Sequence, residues 1–324
     1  MLSYALRRLL ITIPVVLLST FLVFGAVTAS GDPLQDLRQQ PNITQERIDN
    51  VRETRGLDDP FPVQYWRWLE QVPTNGFGEY MISPRQILPD LQRVIGNTLQ
   101  LVIAAEVFAF ITAVALGVAS AKRQYSIFDY TTTTISFVGF AMPTFWFALL
   151  LQVTVVQIFE LTGVRILPLA NLSSANPGTG LAWLWDRALH LVLPVLTLSI
   201  VSIAAYSRYM RASMLEVINS DYVRTARAKG LSEGVITRRH AMRNALIPTI
   251  TVAALSFGGL LSGAIVVEVV FGLDGMGQYF LNQLQRRDPY PIVAWLSVVA
   301  VVVMVFNLVA DLLYGYLDPR IRYD

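Results

Sequence analysis

The residues able to do chemistry are few, and their types exclude the commonest catalytic sites. A P-loop places a lysine directly after a glycine, where it reaches nucleotide phosphates, but Lys122 and Lys229 each follow an alanine. The chain contains no cysteine, and its 2 histidines, His190 and His240, lie far apart in the sequence. H-E-x-x-H and G-x-S-x-G motifs are also missing. We therefore predict no catalytic residue, no metal site and no cofactor bound by this chain, and we do not expect an enzyme.

Glu106 is the acid most in need of an explanation. It interrupts the apolar run Val94–Lys122 near its middle. A carboxyl group in such a run is expensive to bury and is a functional candidate by default. We expect it either to line an aqueous pathway or to accept hydrogen bonds inside a helix bundle. The alternative is a proton relay in an ion-coupled carrier.

A proline marks a second candidate site, inside the apolar stretch Tyr130–Phe159. As one straight helix this stretch would exceed the roughly 30 Å hydrocarbon core of a membrane. Because proline breaks helices, we predict a short helix, a break at Met142–Pro143 and then a membrane span. Irregular backbone in a membrane occurs where it is buried in protein or lines a cavity. Ser136, Met142, Pro143 and Thr144 are therefore candidate pathway residues, with a simple packing kink as the alternative.

The third candidate is a basic loop over residues 207–243. Ser220 and Asp221 predict the start of a short helix, which Gly230 ends as the residue after its C-cap. Ser232 then starts a second helix, which runs into the next apolar segment. The short helix is flanked by basic residues and carries small residues on one face. Taken alone, this pattern fits a helix lying on anionic lipid or one docked in the groove of another protein.

The elements that must position these residues are membrane spans. Hydrophobic residues make up 54% of the 324 residues and charged residues only 15%, against about 25% charged in a typical soluble domain. The apolar residues cluster in segments long enough to cross a bilayer. The six predicted spans are Leu9–Gly31, Val94–Lys122, Tyr130–Phe159, Ala188–Ser207, Asn244–Val267 and Pro289–Ala310.

The positions of Lys and Arg predict the orientation. Eight of them lie between Arg208 and Arg243, whereas residues 31–93 hold seven basic and ten acidic residues. Both chain termini and the basic loop are therefore expected on the cytoplasmic side. This places residues 31–93 outside the cell membrane as an extracytoplasmic segment.

Several stretches, in this order, resemble the B-type permease subunit of ABC importers for dipeptides, oligopeptides and nickel. The basic loop resembles the EAA signature of that family, although Arg224-Thr225-Ala226 stands in place of Glu-Ala-Ala, and Arg243 stands where the general pattern has a proline. The peptide-importer branch commonly shows this variant. The other matching stretches are Met1–Val16, Gly31–Pro33, Asn97–Thr98, Ser136–Leu151, Leu191–Ile200, Val266–Gln278 and Asn307–Tyr323.

The resemblance implies an all-α, six-span type I ABC importer permease in the bacterial plasma membrane, importing short peptides by alternating access. Its implied segments are 1–30 with the first span, 31–93, the transmembrane domain 94–315 with its coupling loop 207–246, and a tail, 316–324. Implied partners are a C-type permease in a heterodimer, two cytoplasmic ATPases that bind ATP and Mg, an extracytoplasmic binding protein and the lipid bilayer, but no nucleic acid.

The resemblance also implies which loop residues couple to an ATPase. These are Asp221, Tyr222, Thr225, Ala226, Arg227 and Gly230. Two alternatives stay open at this point: the same fold importing nickel or another small solute, and an ion-coupled secondary carrier that uses Glu106.

Overall fold

The computed structural model describes the backbone of residues 2–317 and the side chains of residues 10–261 and 263–309. Within this part the chain is helical and forms no strand, which confirms the all-α prediction. In chain order the elements are α1 (Leu2–Ala29), α2 (Gln35–Arg38), α3 (Gln45–Arg55), α4 (Phe61–Asn75), α5 (Ile87–Lys122), α6 (Ile127–Ala141), α7 (Thr144–Thr162), α8 (Leu181–Ile218), α9 (Asp221–Ala228), α10 (Glu233–Val235), a π-helical turn (Ile236–Ala241), α11 (Met242–Val270), α12 (Met276–Arg286) and α13 (Pro289–Leu317).

Six helical stretches of the described chain are long and apolar enough to cross a membrane, as predicted. They are Leu10–Ala29, Ile87–Lys122, Thr144–Thr162, Leu181–Ile218, Glu233–Leu261 and Pro289–Val309. Most of the predicted tail, 316–324, lies outside the described residues.

The predicted break at Met142–Pro143 is confirmed. Both residues have extended backbone dihedrals, with ψ values of 126° and 131°. Met142 ends α6 and Pro143 precedes the first residue of α7. The locked φ of proline and its missing N–H explain why the helix stops here and restarts.

The chain divides into two compact units, of which the first comprises residues up to Thr98 together with Asp274–Val305. Its core is rich in aromatic side chains, including Phe24, Tyr65 and Trp68, which are almost fully buried. The polar segment that follows α1 therefore folds, through α2, α3 and α4, around a core that it shares with the rest of this unit. These three helices were not predicted from the sequence.

The second unit comprises Leu99–Leu273 and the described residues from Phe306 on. Within it α8 packs against α6, α7 and α11. Gly117 of α5 marks a close approach to α8, because a Cβ built there would lie 2.6 Å from the Met210 Cβ and 2.8 Å from the Ser207 carbonyl oxygen. An ion pair ties α6 to α8: Arg211 donates from Nε and an Nη to the two carboxylate oxygens of Asp129, at 2.6 and 2.7 Å.

Candidate functional site

The predicted loop helix exists as α9, and one of its faces is covered. Val223 and Ala226 are buried against Ile236 of the π-helical turn. Burial of this small apolar face fixes which residues of α9 point away from the bundle. Ala226 was predicted to couple to a partner, but its side chain packs inside this chain, so any coupling role passes through the packing of α9.

α9 begins at Asp221 as predicted, but without a side-chain cap. Ser220 occupies the N-cap position, but its side chain accepts no hydrogen bond from the helix. Its Oγ instead donates to the carbonyl oxygen of Val217, at 2.6 Å. Ser220 therefore ties the end of α8 into the turn, and Asp221 supplies the negative charge expected beside a helix N-terminus.

The end of α9 confirms the predicted role of Gly230. This residue has φ of +79° and directly follows the C-cap residue Lys229. The Gly230 N–H donates to the carbonyl oxygen of Arg227, and the Leu231 N–H donates to that of Ala226. These two bonds form a Schellman motif, which requires a left-handed residue at Gly230.

An ion pair closes the turn between α9 and α10. Arg227 donates from Nε to Oε1 of Glu233 at 2.7 Å and from an Nη to Oε2 at 3.4 Å. The Glu233 carboxylate raises the pKa of Arg227, chiefly through this hydrogen bond. This ion pair fixes the orientation of α9 relative to α10, which follows it in the chain.

A second contact ties α9 to the membrane-spanning helix α11. The Asn244 amide donates to the hydroxyl oxygen of Tyr222, at 2.9 Å. The π-helical turn that leads into α11 also packs against α8 and α9. A shift of α9 would therefore reach α11 through a hydrogen bond and a packed turn.

The opposite face of α9 is exposed. The Asp221 carboxylate is 100% exposed, and Arg224 extends beside it with 70% of its side chain exposed. Thr225 and Tyr222 are exposed as well. We call this exposed polar surface the α9 outer face; it comprises Asp221, Tyr222, Arg224 and Thr225. The other face of the helix packs against Ile236.

The candidate pathway residues do not form one cluster in the described chain. The Ser136 Oγ donates to the Thr132 carbonyl oxygen and lies 3.2 Å from the Ser207 Oγ, so this residue joins α6 to α8. Met142 and Thr144 are half-buried and Pro143 is exposed, at the break between α6 and α7.

Glu106 lines a cavity of about 360 Å³ whose other walls are apolar, among them Phe110, Phe257 and Phe306. The Tyr206 hydroxyl donates to Glu106 Oε2, at 3.3 Å. Oε1 is buried and has no hydrogen-bond partner among the described residues. The Glu106 carboxyl is thus hydrogen-bonded to a neighbouring helix at the wall of a cavity.

The first unit contains a polar pocket that the sequence analysis missed. Its volume is about 480 Å³. In its wall the Tyr80 hydroxyl donates to Asp90 and lies 2.9 Å from the Tyr279 hydroxyl. Asp288 is buried there and accepts the N–H groups of Met81 and Tyr290, and its burial raises its pKa to about 6.

Sequence signals existed for some of these features. Apolar residues recur at spacings of three and four over 276–286, which is typical of an amphipathic helix; this helix is α12 in the structure. The pairing of Arg227 with Glu233 follows from the turn at Gly230, because the turn returns the chain beside α9. Nothing in the sequence indicated that Tyr80 and Tyr279 meet.

The family described as "Binding-protein-dependent transport system inner membrane component" matches residues 113–323. Its N-terminal companion family matches residues 1–79. The oligopeptide transport system permease protein AppB of Bacillus subtilis is 38% identical, and the match covers 100% of both chains. The dipeptide transport system permease protein DppB of Escherichia coli is 36% identical over 100% of this chain and 99% of its own length. A solved amino acid ABC transporter matches with a TM-score of 0.49 and 16% identity, covering 72% of this chain and 94% of its own.

Proposed function

Because the chain belongs to the family of binding-protein-dependent transport system inner membrane components, we propose that it is the permease subunit of an ATP-driven importer of short peptides. The full-length relatives are named as oligopeptide and dipeptide transport permeases, which supports peptides as the solute. Neither lysine follows a glycine, so ATP and Mg are bound by separate subunits.

The observation that carries the proposal is the two-sided character of α9. Its inner face is buried against Ile236, and its C-terminal end is fixed by the Gly230 turn and the Arg227–Glu233 pair. Its outer face is exposed and polar. A rigid helix with a free polar face suits docking to a partner that moves, and we assign that partner as an ATPase subunit.

The contacts of α9 then explain how a movement of the ATPases reaches the membrane spans. When the two ATPases close on ATP, they draw α9 and the corresponding helix of the second permease together. The Tyr222–Asn244 hydrogen bond and the π-helical turn pass this displacement to α11 and α8. The membrane spans then rock, so that the translocation pathway opens alternately to the two sides of the membrane.

The assembly comprises this chain, a C-type permease as the second half of a heterodimer, two ATPases and an extracytoplasmic binding protein. Both termini of this chain face the cytoplasm. The clustering of basic residues in the α9 loop supports that orientation. Glu106, Ser136, Met142, Pro143 and Thr144 are assigned to the pathway or to the helix contacts that shape it.

The alternatives receive less support. Import of nickel or another small solute would use the same fold, but the full-length relatives compared above are named for peptides. A secondary carrier working through Glu106 would need no docking helix, whereas this chain carries α9, a loop helix with an exposed polar face.

Co-purification with reconstituted transport tests the proposal. The tagged chain, produced with its neighbouring subunits, should bring down an ATPase and support ATP-dependent uptake of a labelled dipeptide in liposomes. Replacing residues 221–230 with a scrambled sequence should abolish both. Uptake that continues without ATP, or that follows a proton gradient, would contradict the proposal.

A further inference from the structure

The polar pocket of the first unit is built by three pieces of chain, of which the α2 region supplies Asp36 and Gln40, both exposed. One face of α12 supplies Tyr279, Gln283 and Arg286, which recur at spacings of four and three residues. The segment from Tyr80 to Arg93 supplies the facing wall. Its volume of about 480 Å³ lies within the range of small-molecule sites.

Most charges on the facing wall already have partners inside the protein. Asp90 pairs with Arg85 and, at 3.6 Å, with Arg93, and it accepts the Tyr80 hydroxyl. Arg93 also pairs with Asp274. This wall is therefore a fixed, largely neutralised scaffold, and its groups need no rearrangement for a ligand to enter.

Gln283 is different, because its side-chain oxygen is buried and unsatisfied. The residue is 6% exposed and lines the pocket, and its Oε1 finds no hydrogen-bond partner in the described part of the chain. Buried acceptors are normally paired, because leaving one unpaired is destabilising. An unpaired acceptor on a residue that lines a pocket points to a ligand that brings an N–H or O–H donor.

The neighbours of Gln283 indicate the charge of that ligand. Asp288, also in the pocket wall, uses one lone pair on each oxygen for the backbone N–H groups of Met81 and Tyr290, so each oxygen retains a second. Arg286, one helical turn beyond Gln283, is exposed at the pocket wall. The pocket therefore offers acceptors with negative charge at depth and a guanidinium nearer its mouth.

We propose that this pocket binds a small zwitterion the size of a dipeptide, its α-ammonium donating to Gln283 Oε1 and Asp288 and its carboxylate meeting Arg286. The inference rests on the proposed peptide import. It adds a site on the permease itself that recognises the charged backbone ends common to all free short peptides, rather than their side chains.

Direct binding to the full chain in lipid nanodiscs tests the inference, with radiolabelled dialanine as the probe. Unlabelled dialanine should compete, whereas N-acetyl-dialanine methylamide, which lacks both charges, should not. Gln283→Ala should weaken binding about tenfold or more, because the ammonium loses a buried acceptor. Gln285→Ala, an exposed position on the same helix outside the pocket, should leave binding unchanged.

Two further variants keep the test decisive if Gln283→Ala fails to fold. Gln283→Glu retains an acceptor and adds negative charge, so it should bind dialanine at least as tightly. Arg286→Gln should weaken binding of dialanine but not of its C-terminal amide. Three results would overturn the inference and leave a water-filled pocket. They are absence of dialanine binding, equal competition by the capped compound, and equal effects of the Gln283 and Gln285 changes.

The outcome can be separated from that of the proposed function. ATP-dependent dipeptide import that persists while nanodisc binding is absent would remove the pocket site alone. Pocket binding without ATP-dependent import would instead remove the proposed function. Protein from one purification is divided between the nanodisc and liposome assays, so inactive protein is recognised in each.

Discussion

The Arg227 guanidinium places its Nε 2.7 Å from Oε1 of Glu233 and closes the chain reversal that follows α9. Both side chains are largely exposed, 41% and 63%. Ion pairs this exposed add little to stability. The value of the pair therefore lies in fixing the direction of α9 at the point where we propose an ATPase docks.

A charge swap separates this orienting role from direct contact with the partner. Arg227→Glu alone should repel Glu233, loosen α9 and lower ATP-dependent uptake, with little change in thermal unfolding. The double variant Arg227→Glu with Glu233→Arg restores the pair and should recover most uptake. If the double variant is as impaired as the single one, Arg227 acts on the partner itself and the orienting role is wrong.

Replacing Gly230 should weaken coupling through the backbone alone. Its φ is +79°, and a Cβ built there meets nothing within 4 Å, so no clash contributes. Gly230→Val should strain the turn by about 1–2 kcal/mol, whereas Gly230→Asn should be tolerated better. Co-purification of the ATPase with each variant measures the effect.

Gly234→Ala is the matched control for that series. It adds a Cβ in open space without a left-handed backbone. Recovery of ATPase with Gly230→Val equal to that with Gly234→Ala would show that the turn is not needed for docking.

Gly117 should be the least replaceable glycine in the second unit. The added Cβ of Gly117→Ala would lie 2.6 Å from the Met210 Cβ and 2.8 Å from the Ser207 carbonyl oxygen, so α5 and α8 must separate. We expect a loss of about 1–3 kcal/mol, typical of overpacking, seen as a lower melting temperature in detergent. Gly96→Ala on the same helix meets nothing within 4 Å and should be neutral or slightly stabilising. Equal melting of the two variants would contradict the close approach.

Asp288 should make stability fall as the pH rises. Burial raises its pKa from 3.8 to about 6, so the folded chain retains this proton at pH values where the unfolded chain has lost it. The stabilisation is complete below pH 3.8 and is lost as the pH rises through about 6, amounting to roughly 3 kcal/mol at most. Asp288→Asn should flatten the melting profile between pH 4.5 and 7. Parallel wild-type and variant profiles would show that the carboxyl titrates normally.

Local signals in the sequence predicted a large part of this fold. Apolar length indicated the six spans, Pro143 the break before α7, and Gly230 the end of α9. Each of these signals acts within a few residues of its effect. Predicting them required no knowledge of which helices are neighbours in space.

Contacts between distant residues escaped prediction for the same reason. The hydroxyl groups of Tyr80 and Tyr279 lie 2.9 Å apart although the residues are separated by 199 positions. The pocket they help to line depends on that contact. Likewise, the small residue Ala226 suggested an outward face of α9, and only the packing against Ile236 shows that it points inward.

Cysteine cross-linking tests the central claim, docking of the α9 outer face on an ATPase, most directly. The chain contains no cysteine, so a single introduced thiol reports one position without background. Thr225→Cys, on the exposed face, should cross-link to the ATPase subunit in native membranes, and ATP should change the yield. Val223→Cys, on the buried face of the same helix, should not. Docking of the α9 outer face would be contradicted if a transport-competent complex gave no ATPase adduct at Thr225. Equal cross-linking yields at Thr225 and Val223 would contradict it as well.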